Sequence, residues 1–232
     1  MREQFNKNTC DLLMGVPAGM KAIATTQPYY KSSYVFVTRA AERFAITSFT
    51  DPHLNGRRIG LKILEEDMSP PSLPLIRSGH AAGLVGFESF GNQAGDIVRA
   101  VATQRVNVPV VWGPVAGFFA AKQHFHVALH AVSPAVDPSG IPFVYAITMG
   151  VHKRDTALRD AVNASLVRLQ LQIARVLAAY HVPTLPMQRG GACEVLGCWR
   201  CRARCCWSQG ANGKHACSIL APAVRNWQTA SL

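Results

Sequence analysis

Two stretches decide the fold: Cys10-Asp-Leu-Leu-Met-Gly-Val-Pro17, and Thr25-Thr-Gln-Pro-Tyr-Tyr-Lys-Ser-Ser-Tyr-Val-Phe-Val37. The first opens as a short apolar run, predicted as a buried strand over 10–14 that stops at Gly15. The second ends in Tyr34-Val-Phe-Val37, a clear strand. Working outward, Arg58–Leu64 alternates enough to be another strand, Val108–Trp112 is closed by Gly113-Pro114, and Phe143–Val151 is the longest β run. Pro109 fits such a strand only near its start or on an edge, because it cannot donate to a ladder. Helical patterns lie between these runs. Ala94, Ile97, Val98, Val101 and Ala102 recur with helical spacing. Pro114 suits the first turn of a helix carrying Phe118 and Phe119. The longest pattern covers 156–180, with Leu158, Val162, Leu166, Leu169, Ile173, Val176 and Tyr180 at steps of three and four, and Asp155 as N-cap. Alternating strands and helices predict α/β layering.

Composition sets the bounds. The chain has 232 residues, of which 49% are hydrophobic and 16% charged, a globular balance that excludes wholesale disorder. No apolar run reaches the ~20 residues a membrane span needs. The net charge of +11 raises nucleic acid or an acidic partner. Its distribution weakens the nucleic-acid reading: residues 183–232 carry six Lys/Arg against Glu194, so the body is only mildly basic. Six of seven cysteines and three of four tryptophans lie in the same C-terminal stretch. The chain therefore reads as a body ending near Pro183 and a Cys/Arg-rich tail, 184–232, expected to be unstructured or out of frame. Cys198, Cys201, Cys205 and Cys217, with His215, are candidate zinc ligands; oxidation to disulfides is the alternative. The first nine residues show no apolar signal region.

The two opening stretches resemble the family 3 (type II) periplasmic solute-binding proteins. The finer similarity is to the quinoprotein-dehydrogenase-associated branch, the J-proteins of methanol-dehydrogenase operons. It is carried by Met14-Gly-Val-Pro17, Thr25-Thr26 with Pro28-Tyr29-Tyr30, Ser48-Phe49 with Asp51-Pro52, and Arg58-Ile59-Gly60. Further on it rests on Val110-Val-Trp-Gly-Pro114, Gly117-Phe118-Phe119, and Thr148-Met-Gly-Val151 leading to Asp155–Asp160. The similarity runs from about Asn6 to Pro183. Three departures stand out. Family members begin with a signal peptide and some sixty further residues, so the chain is expected to be N-terminally truncated. Pro109 stands where Asp is usual, and the tail has no counterpart.

The resemblance implies a two-lobe α/β fold. An incomplete lobe one would span 1–36 and 146–183, lobe two 40–140, with a ligand or partner crevice between them. Amino-acid-binding relatives hold the ligand carboxylate with an arginine after the first strand. Here Val16–Thr25 contains none, and Lys21 supplies charge without the bidentate fork. Tyr29, Tyr30 and Trp112, with Lys21 and Gly113, are the expected cleft residues, the aromatic ones serving either as a stacking wall or as lobe packing. Pro70-Pro71 follows an acidic run and is expected in a solvated loop rather than at the start of an anion-binding helix. His124 and His126, two apart on a strand, would share a face but lack a third ligand. No Gly-x-Ser-x-Gly, Walker, Gly-x-Gly-x-x-Gly or His-Glu-x-x-His motif occurs, and Glu88-Ser89 has no partnered base. The implied function is that of a non-catalytic, periplasmic accessory factor of a PQQ-dependent methanol or alcohol dehydrogenase. Its expected partners are the dehydrogenase or its cytochrome c, with no cofactor of its own and no nucleic acid. The alternative is the substrate-binding component of an ABC importer for a small solute.

Overall fold

Strand β3 (Tyr30–Arg39) organises the molecule. The computed structural model describes residues 9–64, 67–88 and 91–187, together with Phe5 and Lys7. The other strands are β1 (Leu12–Pro17), β2 (Ala24–Thr25), β4 (Ile59–Leu64), β5 (Asp67–Met68), β6 (Leu84–Glu88), β7 (Val108–Trp112), β8 (Val127–Ala131) and β9 (Val144–Val151). The helices are α1 (Ser72–Arg77), α2 (Asp96–Ala102), α3 (Gly113–Lys122) and α4 (Thr156–Ala179). Strand order is β1-β9-β3-β7-β4-β5, with β2 beside β9, β6 beside β4 and β8 beside β3.

The two halves of β3 pair differently. Tyr30–Ser33 run antiparallel to β9, from Tyr30 opposite Ile147 to Ser33 opposite Val144. Beyond that point Tyr34, Val35 and Phe36 face Trp112, Val111 and Val110 of β7, while Val35–Arg39 face Ala131–Val127 of β8. The period-two alternation of a strand then sends Phe36 to one core and Val35 and Val37 to the other. Phe36 joins Ile59, Leu61, Val108, Val110 and Phe143. Val35 and Val37 join Ile97, Val98, Val101, Val111 and Ala116 of the helical side. Strands covered on both faces read as continuous apolar runs, which is why Val108–Trp112 and Tyr34–Val37 were so legible.

Pro109 is accommodated near the start of a central strand. It pairs with Gly60 of β4 in a parallel ladder, one rung before β7 begins pairing with β3 at Val110. A Cβ on Gly60 would come within 3.0 Å of the Pro109 Cβ and 3.3 Å of the Phe87 ring, so the glycine makes room for the proline opposite it.

The structure corrects four expectations. Strand β1 does not stop at Gly15 but runs to Pro17; its pairing with β9 shifts between Leu13 and Val16, and Gly15 takes a φ of 75° there. Such an irregularity lets a strand continue past a glycine that reads as a terminator. Pro70-Pro71 lead into helix α1, not a solvated loop, because Ser72, Pro74 and Leu75 are buried. His124 and His126 are not on a strand: His124 has a φ of 53° in the turn after α3, and β8 starts at Val127. Strands β6 and β8 were not foreseen, since Gly86 interrupts one apolar run and β8 is only half-buried. Helix α4 matches its predicted span, and the Asp155 carboxylate accepts from the Leu158 N–H at 3.0 Å.

Candidate functional site, an aromatic cavity at the β3 crossover

Where β3 changes partners, three aromatic rings meet. Tyr34 and Trp112 are cross-strand neighbours, so their side chains leave the same face of the sheet. Tyr145 comes from β9, two strands away from Trp112. Ring centroids lie 5.5 Å apart for Tyr34–Trp112, 5.7 Å for Trp112–Tyr145 and 6.5 Å for Tyr34–Tyr145, all edge-to-face. Edge-to-face pairs at these separations are favourable and hold their rings in place. The Tyr145 hydroxyl donates to the Pro142 carbonyl at 3.0 Å.

These rings form part of the wall of a cavity of about 340 Å³. Gly15, Pro17 and Ile147 close it on the β1–β9 side; Lys62, Ile97 and Val115 on the side of β4, α2 and α3. Burial, reinforced by the neighbouring Tyr145, pushes the Tyr34 hydroxyl well above the ordinary phenol range. Burial also raises Tyr145. Both hydroxyls therefore stay neutral at physiological pH, and Lys62 is the one charged side chain among the described lining residues. No His, Asp, Glu, Cys or Ser is among them. An enclosure of this size with apolar and aromatic walls suits an apolar or flat group. Its described lining offers no carboxylate fork and no acid–base pair.

The expected cleft residues separate. Trp112 lines this cavity, whereas Tyr29 and Tyr30 line another groove, with Leu177 from the C-terminal half of α4 and His181 and Met187 beyond the helix. Tyr29 and Tyr30 stack edge-to-face at 5.1 Å. Burial, then the adjacent Tyr29, raises Tyr30 to about 12. Gly113 is buried on the back of β3: a Cβ there would meet Pro183 Cγ at 2.6 Å and the Ser33 carbonyl at 2.7 Å. The segment it admits is fastened by Ser32 Oγ donating to the Pro183 carbonyl at 2.6 Å and by Leu185 N–H donating to the Lys31 carbonyl at 2.8 Å. Lys21 is exposed in the turn between β1 and β2 and does not line the cavity.

Sequence reading missed Tyr34 and Tyr145. Tyr34 was visible as the first residue of its apolar run, but pairing it with Trp112 needs the β3–β7 register. Among the described residues no three His, Cys, Asp or Glu side chains converge to hold a metal ion. The tail candidates Cys198, Cys201, Cys205 and Cys217 lie outside the described residues. Among the described residues no helix is long and apolar enough to cross a membrane.

A mixed sheet whose central strand changes partners midway, with helices packed on it and an apolar cavity at the change, defines a periplasmic-binding-protein-like fold. Comparison with known proteins agrees. No protein-family model matches the chain. Protein MoxJ of Methylorubrum extorquens is 30% identical over 203 residues, covering 81% of this chain and 66% of that protein. The crystal structure of MxaJ from Methlophaga aminisulfidivorans MPT superposes with a TM-score of 0.68 at 25% identity, covering 79% of each chain. That of the periplasmic binding protein XoxJ from Methylobacterium extorquens AM1 gives 0.64 at 27% identity, covering 78% of each. The chain is a homologue of the MoxJ proteins, and it spans about two thirds of the length of the curated relative it matches.

Proposed function

We propose that this chain is the body of a periplasmic, non-catalytic accessory factor of a methanol or related alcohol dehydrogenase system. In this reading a binding-protein fold contacts the PQQ-dependent dehydrogenase or its cytochrome c. The observation that carries the reading is the relationship to MoxJ over 203 residues, the branch that the sequence motifs already indicated. The cavity supports it. Its aromatic and aliphatic wall, with Lys62 as the only cation among the described lining residues, suits an apolar group better than an amino acid's paired charges. The proposed lobes are 1–36 with 146–183, and 40–140. The change of partner between Ser33 and Tyr34 supports a boundary in that region of β3. Trp112 of the sequence-derived set, joined by Tyr34 and Tyr145, is proposed to meet the occupant; Tyr29, Tyr30 and Gly113 are proposed to support packing around β3.

Affinity capture tests the reading. Tagged chain, returned to the periplasm of a methanol-oxidising bacterium, is expected to enrich the quinoprotein dehydrogenase or its cytochrome over an unrelated binding protein. Enrichment of neither would remove the reading. The importer alternative rests on cavity size, since about 340 Å³ holds a small solute. A solute present at ~100 times its dissociation constant stabilises the native state by about 2.7 kcal/mol. A thermal-shift screen that finds such a solute would favour the importer.

A further inference from the structure

The described surface carries a cluster of arginines away from the cavity, gathered where α2 ends. Arg39, the last residue of β3, donates from Nη1 to the Val101 carbonyl at 3.4 Å. Arg58, just before β4, donates from Nη2 to the Gln104 carbonyl at 2.9 Å. Arg105 follows at once, with its guanidinium 5.1 Å from the Phe87 ring centroid. Arg57 lies 4.9 Å over the Phe44 ring and 3.4 Å from Glu42, which also pairs with Arg39. Arg43 stands next to Glu42 and is exposed. Among the described residues, Glu42 is the single carboxylate paired with any of these five guanidiniums.

Carbonyl and ring partners fix a guanidinium without neutralising it. Cations near a helix C-terminus are also favoured by the helix dipole, which accounts for Arg39 and Arg58 as structural residues. It does not account for Arg43, and Arg105 is held by the Phe87 ring rather than by a counter-charge. Both add exposed charge to a surface already rich in guanidiniums, and among the described residues no ion pair compensates them. Arginine forks held in fixed orientation suit carboxylates in bidentate geometry. A concentrated positive face also steers an oppositely charged partner during encounter.

We propose that this arginine cluster is a docking face for the acidic surface of a partner protein. A protein is favoured over nucleic acid because the rings in the cluster, Phe44 and Phe87, are engaged beneath Arg57 and Arg105. Phe44 is also stacked on His53 at 4.6 Å, which leaves, among the described residues of the cluster, no free stacking platform of the kind single strands use. The inference draws on the dehydrogenase-system reading only for the choice of protein probes.

The test measures binding by the full chain and two triple variants that carry the same change in net charge. One is Arg43→Glu, Arg58→Glu, Arg105→Glu; the other is Lys153→Glu, Arg154→Glu, Arg168→Glu on exposed positions around α4. Thermal unfolding first establishes that both fold. The probes are labelled poly-L-glutamate, a single-stranded oligonucleotide, the purified quinoprotein dehydrogenase and its cytochrome. The cluster variant is expected to lose at least about tenfold in affinity for poly-L-glutamate and for each protein that the wild type binds, with a shallower salt dependence. The control variant is expected to lose no more than about twofold. Equal losses in both variants, or none in the cluster variant, would overturn the proposal. Tighter cluster-dependent binding of the oligonucleotide than of poly-L-glutamate would overturn the choice of partner class. Cluster-dependent binding of poly-L-glutamate, with neither protein bound, leaves the docking face standing and counts against the dehydrogenase reading alone.

Discussion

The two ends of β3 live in different surroundings. Toward its C-terminus Val35, Phe36 and Val37 are at most 1% exposed, packed between two apolar clusters. Toward its N-terminus the neighbouring helix α4 runs for 24 residues with only Leu166 buried, while Val167 and Leu171 are 73% and 74% exposed. One end is held by dense packing. The other is held by ladder hydrogen bonds, a helix cap and a few polar ties such as Gln27 N–H to Asn163 Oδ1 at 2.8 Å. Stability should therefore be concentrated around β3, β4 and β7, and local opening should begin on the α4 side.

Substitutions can break or sharpen that contrast. Phe143 is fully buried and tilts against Phe49 at 4.9 Å. Phe143→Ala is expected to cost about 3–5 kcal/mol in equilibrium denaturant unfolding; less than ~1 kcal/mol would show that the core is not tightly packed.

Asp137 comes next. Its carboxylate accepts from the Ser139 and Ile141 N–H groups at 2.9 and 2.8 Å and pairs with Arg77. Burial opposes its ionisation, but these donors and the guanidinium outweigh burial and hold its pKa below the ordinary carboxylate range. A lowered folded-state pKa contributes stability that is fully present above the unfolded value of about 4 and is lost as pH falls through the folded value. Asp137→Ala should cost about 2–3 kcal/mol at neutral pH. Asp137→Asn should flatten the fall in stability on acidification, measured by unfolding at stepped pH; an unchanged acid slope would remove Asp137 from the account.

Smaller effects are expected on α4. Asp155→Ala deletes the N-cap and should cost about 1 kcal/mol, seen as faster amide exchange in the first turns of the helix. Leu171→Ala should change stability by no more than ~0.5 kcal/mol. A cost of ~2 kcal/mol would mean that this face is covered in solution, and the contrast between the two ends would fail.

The same contrast explains what could be read from the sequence. Elements buried on both faces announced themselves: Val108–Trp112 and Tyr34–Val37 are apolar because both sides are packed. Helix α4 was legible from its own period and cap, although the period said nothing about how little of its apolar strip is buried. β6 and β8 carry no comparable run, and Gly15 reads as a stop because a strand irregularity has no local signature. The cavity was half legible. Trp112 stood beside the Gly113-Pro114 break, but its association with Tyr34 and Tyr145 depends on registers that bring residues 34, 112 and 145 together. Tyr29 and Tyr30 belong to a motif of the resembled family, and membership of that motif could not say which face of the sheet they serve.

Calorimetric titration of the full-length chain with the purified quinoprotein dehydrogenase and with its cytochrome tests the central claim most directly. Wild type and Trp112→Ala are compared after both are verified as folded. The account predicts saturable binding of one of the two proteins, weakened at least about tenfold by removal of the indole from the Tyr34–Tyr145 wall. Binding of neither protein, alongside micromolar binding of a free amino acid, would contradict it.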